Sequence, residues 1–142
     1  MGKRAISIHG HFYQPCREDP NTGEIAVEEG TQPFRNWNEK IHNSCYWPNA
    51  DLGNFERISF DLGPTLINWM LSYDPATLAK IISQERSNFI KYGVGNGMAQ
   101  PYHHTILPLA KRHDKITQIR WGIEDFVTRF GHAPSGMWLP EA

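Results

Sequence analysis

From residue 63 onward the chain alternates helix-period segments with very short apolar runs, and this alternation constrains its fold more than any other feature. Pro64 fits a first helical position, where the N–H it lacks would have no intrahelical partner. Leu66, Ile67, Met70 and Leu71 then recur on one face, and the stripe stops before Pro75. Asp74-Pro75 repeats the start signal, after which Leu78, Ile81, Ile82, Phe89 and Ile90 mark a second apolar face and Gly93 serves as C-cap. A third helix reads from Asp114 as N-cap through Ile116, Ile119, Ile123, Phe126, Val127 and Phe130 to Gly131. Helices are therefore expected over 64–73, 75–92 and 115–130.

The short runs at 97–100 and 136–139 each follow a helix and read as buried strands. Residues 5–9 read as an earlier strand, ended by Gly10, that delivers His9 and His11 to its C-terminal edge. Strand, helices, strand, helix, strand is the grammar of an α/β fold with a parallel sheet. Between them, residues 12–62 show no lasting period and carry Pro15, Pro20, Gly23, Pro33, Pro48 and Gly53, which favours a long excursion or small hairpins over core helices. Trp37, Tyr46, Trp47 and Phe55 argue against disorder there, since disordered segments are poor in aromatics. The excursion, from about Arg17 to Ser59, is expected to cover the face that carries His11 and not to form a separate domain.

The 142 residues suffice for one domain but fall short of the roughly 250 of a complete barrel enzyme. The chain stops two residues after Leu139-Pro140, where an α/β pattern would turn into its next helix. The expectation is a fragment, residues 1–142 forming the N-terminal portion of a larger domain with an open-edged last strand. A net charge of −1 gives no field to attract nucleic acid or an anionic membrane. No apolar stretch approaches the ~18 residues of a membrane span, and no secretory signal is visible. Cys16 and Cys45 have no CxxC spacing. Together these suggest a cytoplasmic protein.

Sites in parallel α/β proteins form beyond the C-terminal ends of strands. Three clusters fall there: His9-Gly10-His11 with Phe12, Tyr13, Gln14 and Pro15; Gln100-Pro101-Tyr102-His103-His104; and Trp138-Leu139-Pro140-Glu141. A sugar has hydroxyl edges and apolar C–H faces. Imidazoles and Gln14 suit the edges, while Tyr13 and Trp138 suit the faces. His-x-His on an extended chain also suits a metal, with His103 or His104 as third ligand and Glu141 as base, as in a metal-dependent hydrolase or deacetylase. A non-catalytic carbohydrate-binding module is the third possibility. Glu141 is the only acid in its neighbourhood of sequence, and glycoside hydrolysis needs two carboxyl groups.

Taken together, HGHFYQP, QPYHHTILPL and GMWLPEA resemble, in order and spacing, the first three sequence regions of glycoside hydrolase family 57. RISFDLGPTLINWM and DKITQIRWGIEDFVTRFG look most like a poorly characterised, amylase-like branch of that family. The resemblance covers essentially the whole chain. It implies an incomplete (β/α)7-type barrel acting on α-glucans, hence an oligo- or polysaccharide substrate, with retention and with no metal or organic cofactor. It implies Glu141 as nucleophile, with His11, Gln14 and His9 lining the sugar subsite. Tyr13, His103, His104 and Trp138 complete the candidate substrate contacts. Phe12-Tyr13 stands between the second His and Gln-Pro, where many members have a tighter His-Gln-Pro. The family's general acid/base Asp belongs to a fourth region beyond Ala142, so the 142 residues are expected to be inactive without the remainder of the barrel.

Overall fold

The sheet is parallel and rests on two short strands, β1 (His9–Phe12) and β2 (Ser59–Leu62), with His9 opposite Ser59 and His11 opposite Asp61. β3 (Gly97–Met98) pairs with the other side of β2, and a parallel bridge from Ala99 to Met137 adds a fourth lane. This arrangement is seen in a computed structural model that describes residues 4–141. The α/β class with flanking helices and a long insertion after the first strand is as expected, but the strands are not all where the sequence put them.

The first strand begins at His9, not at residue 5. Ile6 is 94% exposed, because the partner strand reaches back only to Ser59, whose N–H donates to the Ile8 carbonyl. Gly10 lies inside the strand instead of ending it. A Cβ there would stand 2.6 Å from the Phe12 ring, so only glycine lets that ring fold back over the backbone. β2 lies within the stretch that shows no period. The run expected at 136–139 reaches the sheet only through the Met137 bridge, held by Ala99 N–H to Gly136 O at 3.0 Å and Trp138 N–H to Ala99 O at 2.8 Å.

The excursion is more helical than expected. Asn36 caps α1 (Trp37–Ile41) by accepting from the Glu39 N–H at 3.0 Å. The chain then widens into a π-helical turn, His42–Tyr46, and continues into α2 (Trp47–Asp51) and a 3₁₀ turn at Asn54–Glu56. Tyr46, Ala50 and Phe55 are buried in the same core as Phe60, Leu66, Ile67 and Met70. Hairpins are reduced to one antiparallel bridge, Glu18 to Ile25. Each fully buried Phe contributes about 2–3 kcal/mol of apolar burial, so the excursion is part of the domain's core and not a separate unit.

α3 (Pro64–Tyr73) and α4 (Pro75–Tyr92) match the predicted spans. Asp74 caps α4, accepting from the Thr77 N–H at 3.1 Å, and Gly93 ends it at φ 72°. The apolar stripe of α4 is only half buried, however: Ile90 is 74% exposed, and the inward face continues through Glu85 and Asn88. These polar residues serve backbone that lacks partners of its own. Asn88 Nδ2 donates to Glu56 O at 3.0 Å, and Glu85 accepts from Asn96 and Gly97. α5 (Arg112–Phe130) starts ahead of Asp114, which lies in its first turn and is not the N-cap. Gly122 lets α5 press onto the sheet, because a Cβ there would lie 1.9 Å from the Gln100 carbonyl oxygen.

Candidate active site

Because β1 and β2 are in register, His9 and His11 on alternate positions of one strand face the same side as Asp61 on the next. Asp61 is completely buried. Its Oδ1 lies 2.9 Å from His9 Nε2 and its Oδ2 lies 2.7 Å from His11 Nδ1. His9 Nδ1 is 2.7 Å from the Ser59 hydroxyl, and His11 Nε2 is 3.2 Å from His104 Nε2. With Asp61 accepting from both rings, a neutral His11 has its proton on Nδ1. In the contact between the two Nε2 atoms one ring donates and the other accepts.

Four rings converge around this chain of hydrogen bonds. Trp138 stacks on His11 with centroids 3.8 Å apart and an interplanar angle of 15°, and Tyr13 stacks on His104 at 3.9 Å and 24°. His11 and His104 stand 5.2 Å apart, as do His104 and Trp138. Burial, and the neighbouring His11, hold His104 below the usual histidine range, with Glu141 and Asp61 pulling the other way. Glu141 itself is exposed on a turn, close enough for its charge to be felt at His104. His104 and Glu141 are both in the left-handed region, each at φ 55°, where a non-glycine residue is strained and where functional residues concentrate.

His103 stands apart from this group. Its backbone N–H donates to Gln118 Oε1 at 2.8 Å and its ring Nδ1 meets Gln118 Nε2 at 3.1 Å, so α5 turns it towards Tyr102 and Trp121. Gln14 sits behind the site as a tie. Its Nε2 donates to the Tyr46 hydroxyl at 2.9 Å, its Oε1 accepts from Arg17 Nη2 at 3.0 Å, and its carbonyl accepts from the Thr65 hydroxyl. Those contacts join the end of β1 to the excursion and to the first turn of α3.

Asp61 is the residue of this cluster that sequence reasoning missed. The signal was present, since Ser59-Phe60-Asp61-Leu62 alternates polar and apolar residues directly before the Gly63-Pro64 helix start. Among the described residues, no group of three His, Cys, Asp or Glu is arranged to hold a metal ion. His9 and His11 each aim a nitrogen at Asp61 instead of at a shared empty point.

The sequence model of glycosyl hydrolase family 57 matches residues 5–142, and the chain belongs to that family. Solved structures that share its fold include the following two. The 4-alpha-glucanotransferase of Thermococcus litoralis is 20% identical with a TM-score of 0.63, over 95% of this chain and 18% of that one. The GH57-type branching enzyme of the hyperthermophilic archaeon Pyrococcus horikoshii is 17% identical with a TM-score of 0.59, over 95% and 34%. The chain thus spans about a fifth to a third of the length of these structures. No curated protein matches it.

Proposed function

We propose that residues 1–142 form the N-terminal part of the catalytic barrel of a retaining, α-glucan-active glycoside hydrolase or glucanotransferase, and that Glu141 is its nucleophile. The observation that carries this reading is the cluster of His11, Tyr13, His104 and Trp138 at the C-terminal edge of a parallel sheet, with Glu141 on the turn that follows Trp138. Family membership supports glycoside chemistry, and the two neighbours, a 4-alpha-glucanotransferase and a branching enzyme, support an α-glucan.

In this reading, aromatic rings pack on the C–H faces of a sugar while imidazole nitrogens bond its hydroxyls. Glu141, exposed on its turn, attacks the anomeric carbon as the glycosidic C–O bond breaks and the departing oxygen takes a proton from the general acid; water or a sugar hydroxyl then releases the resulting glycosyl ester. Retention needs a second carboxyl about 5–5.5 Å away as acid and base. Asp61 does not suit that role, because it is wholly buried and both its oxygens are held by imidazoles. It acts through His11 as a positioning residue, and the acid/base comes from elsewhere in the whole protein. The substrate is bound by a soluble enzyme of the cytoplasm, with neither nucleic acid nor membrane as partner; no described helix is long and apolar enough to cross a membrane. The 142 residues alone are inactive in this reading, because they lack that acid/base.

The test is turnover of maltooligosaccharides by the whole protein and by its Glu141→Gln variant. The expected result is turnover by the first and background by the second. Equal rates would remove Glu141 from the mechanism.

A further inference from the structure

At the corner between α3 and α4, on elements apart from the strand ends that carry the His11 cluster, lies an open cavity of about 370 Å³ lined by His42, Asn43, Trp47, Tyr73 and Asp74. Its rings are presented to solvent: Trp47 is 46% and Tyr73 44% exposed. Tyr73 is fixed from behind, stacked on the buried Trp69 with centroids 4.4 Å apart at 19°. His42 forms the floor, buried edge-on against both Trp69 (5.8 Å, 68°) and Tyr73 (5.3 Å, 78°). His42 also opens the π-helical turn, a wide turn that proteins keep mostly where a side chain must be re-aimed for function. At the end of this turn Tyr46 points inward to Gln14 while Trp47 stays outside at the cavity.

The charges in the cavity define what it can hold. Asp74 is committed: its Oδ1 accepts the Thr77 N–H at 3.1 Å, and its Oδ2 accepts the Thr77 hydroxyl at 2.6 Å and faces His42 Nε2 at 3.1 Å. Both carboxylate oxygens are therefore tied to neighbours within the protein. An anion would be repelled by Asp74 and by Glu39, whose charge reaches Tyr73. Burial holds His42 below the usual histidine range, against the pull of Asp74, so the floor is a neutral imidazole near neutral pH. Asn43 adds an amide at the rim, one N–H of which bonds the Glu39 carbonyl at 3.1 Å. Two exposed rings beside an amide and a neutral imidazole fit a neutral ligand with apolar faces and hydroxyl edges.

We infer that this cavity is a second saccharide site, which binds a stretch of α-glucan chain by stacking on Trp47 and Tyr73 and holds the polymer while its end is processed elsewhere. The choice of α-glucan rests on the catalytic reading above; the neutral saccharide chemistry rests on the cavity alone. Such a site raises affinity for long chains through effective concentration and leaves short substrates unaffected.

The test compares the whole protein with its Trp47→Ala and Tyr73→Ala variants by mobility in native gels containing amylopectin, and in parallel by turnover of maltotriose. Each variant is expected to lose about fivefold in affinity for the polymer, the scale of one aromatic stacking contact, with maltotriose turnover unchanged. Variants retarded as strongly as the wild type overturn the inference. So does a lowered melting temperature with unchanged retardation, which would mean that the cavity packs another part of the whole protein. Trp47-dependent retardation in a protein that turns over no α-glucan would sink the catalytic reading and leave the second site standing.

Discussion

His11 Nδ1 lies 2.7 Å from Asp61 Oδ2, and the other oxygen of the same buried carboxylate receives His9 at 2.9 Å. One acceptor therefore orients two imidazoles, and through His11 it fixes the ring that meets His104. In Asp61→Asn one acceptor becomes an N–H₂ donor, which one ring can meet only by moving its proton to the other nitrogen. A charge-assisted hydrogen bond is worth about 1.5–3 kcal/mol, so kcat/KM for maltooligosaccharides should fall about 10- to 100-fold. Asp61→Asn activity within twofold of wild type would remove the positioning role.

His104 gives the site a pH dependence of definite sign. Its folded proton affinity is lowered, chiefly by burial and then by His11, so the unfolded chain binds that proton more tightly. Stability from this group is fully present above the unfolded value of about 6.5 and is lost as pH falls from there through the folded value. Urea denaturation at pH 7.5 and 5.5 should show a smaller acid loss in His104→Gln than in wild type. An unchanged difference would mean that the ring does not titrate as its surroundings require.

Glu85 is completely buried and accepts the N–H groups of Asn96 at 2.8 Å and Gly97 at 2.9 Å, which shapes the approach to β3; His132 Nε2 stands 3.3 Å from its other oxygen. Glu85→Ala orphans two backbone donors and should cost about 3 kcal/mol or more in chemical denaturation, whereas Glu85→Gln keeps an acceptor and should cost about half as much. Equal losses would show that volume matters there and hydrogen bonding does not.

Gly122→Ala is the sharpest steric test. The added methyl would sit 1.9 Å from the Gln100 carbonyl oxygen, and backbone cannot step aside as a flexible side chain can. The expected loss is about 3 kcal/mol, the upper end for overpacking, or failure to accumulate folded protein. A melting temperature within two or three degrees of wild type, roughly 1 kcal/mol, would contradict the packing of α5 on the backbone at Gln100.

What could be read from sequence was local. Pro64, Asp74, Pro75 and Gly93 punctuate α3 and α4 within a turn of where they act, so both spans were legible. β2 was not, because its four residues are defined by pairing with β1 some fifty positions earlier and with β3. Asp61 was missed with its strand. His103 and His104 are indistinguishable in a string of letters. The left-handed backbone at His104 and the grip of Gln118 on His103 separate them, and both follow from tertiary packing. The helicity of the excursion escaped for a related reason: α1, the π-helical turn and α2 run on without a break, but the wide turn in the middle interrupts the 3.6-residue period, and the stretch is held by burial of Tyr46 and Ala50 beside Phe55.

The central claim is that Glu141 forms the bond to sugar, and the most direct measurement is to trap that bond. The whole protein is incubated with an activated, slowly released glycosyl fluoride, digested, and its peptides mapped by mass. A glycosyl adduct on the peptide ending the Gly-Met-Trp-Leu-Pro run, localised to Glu141 and absent from Glu141→Gln, is the predicted result. Steady turnover with no adduct on any peptide, or an adduct on a different carboxylate, would contradict it.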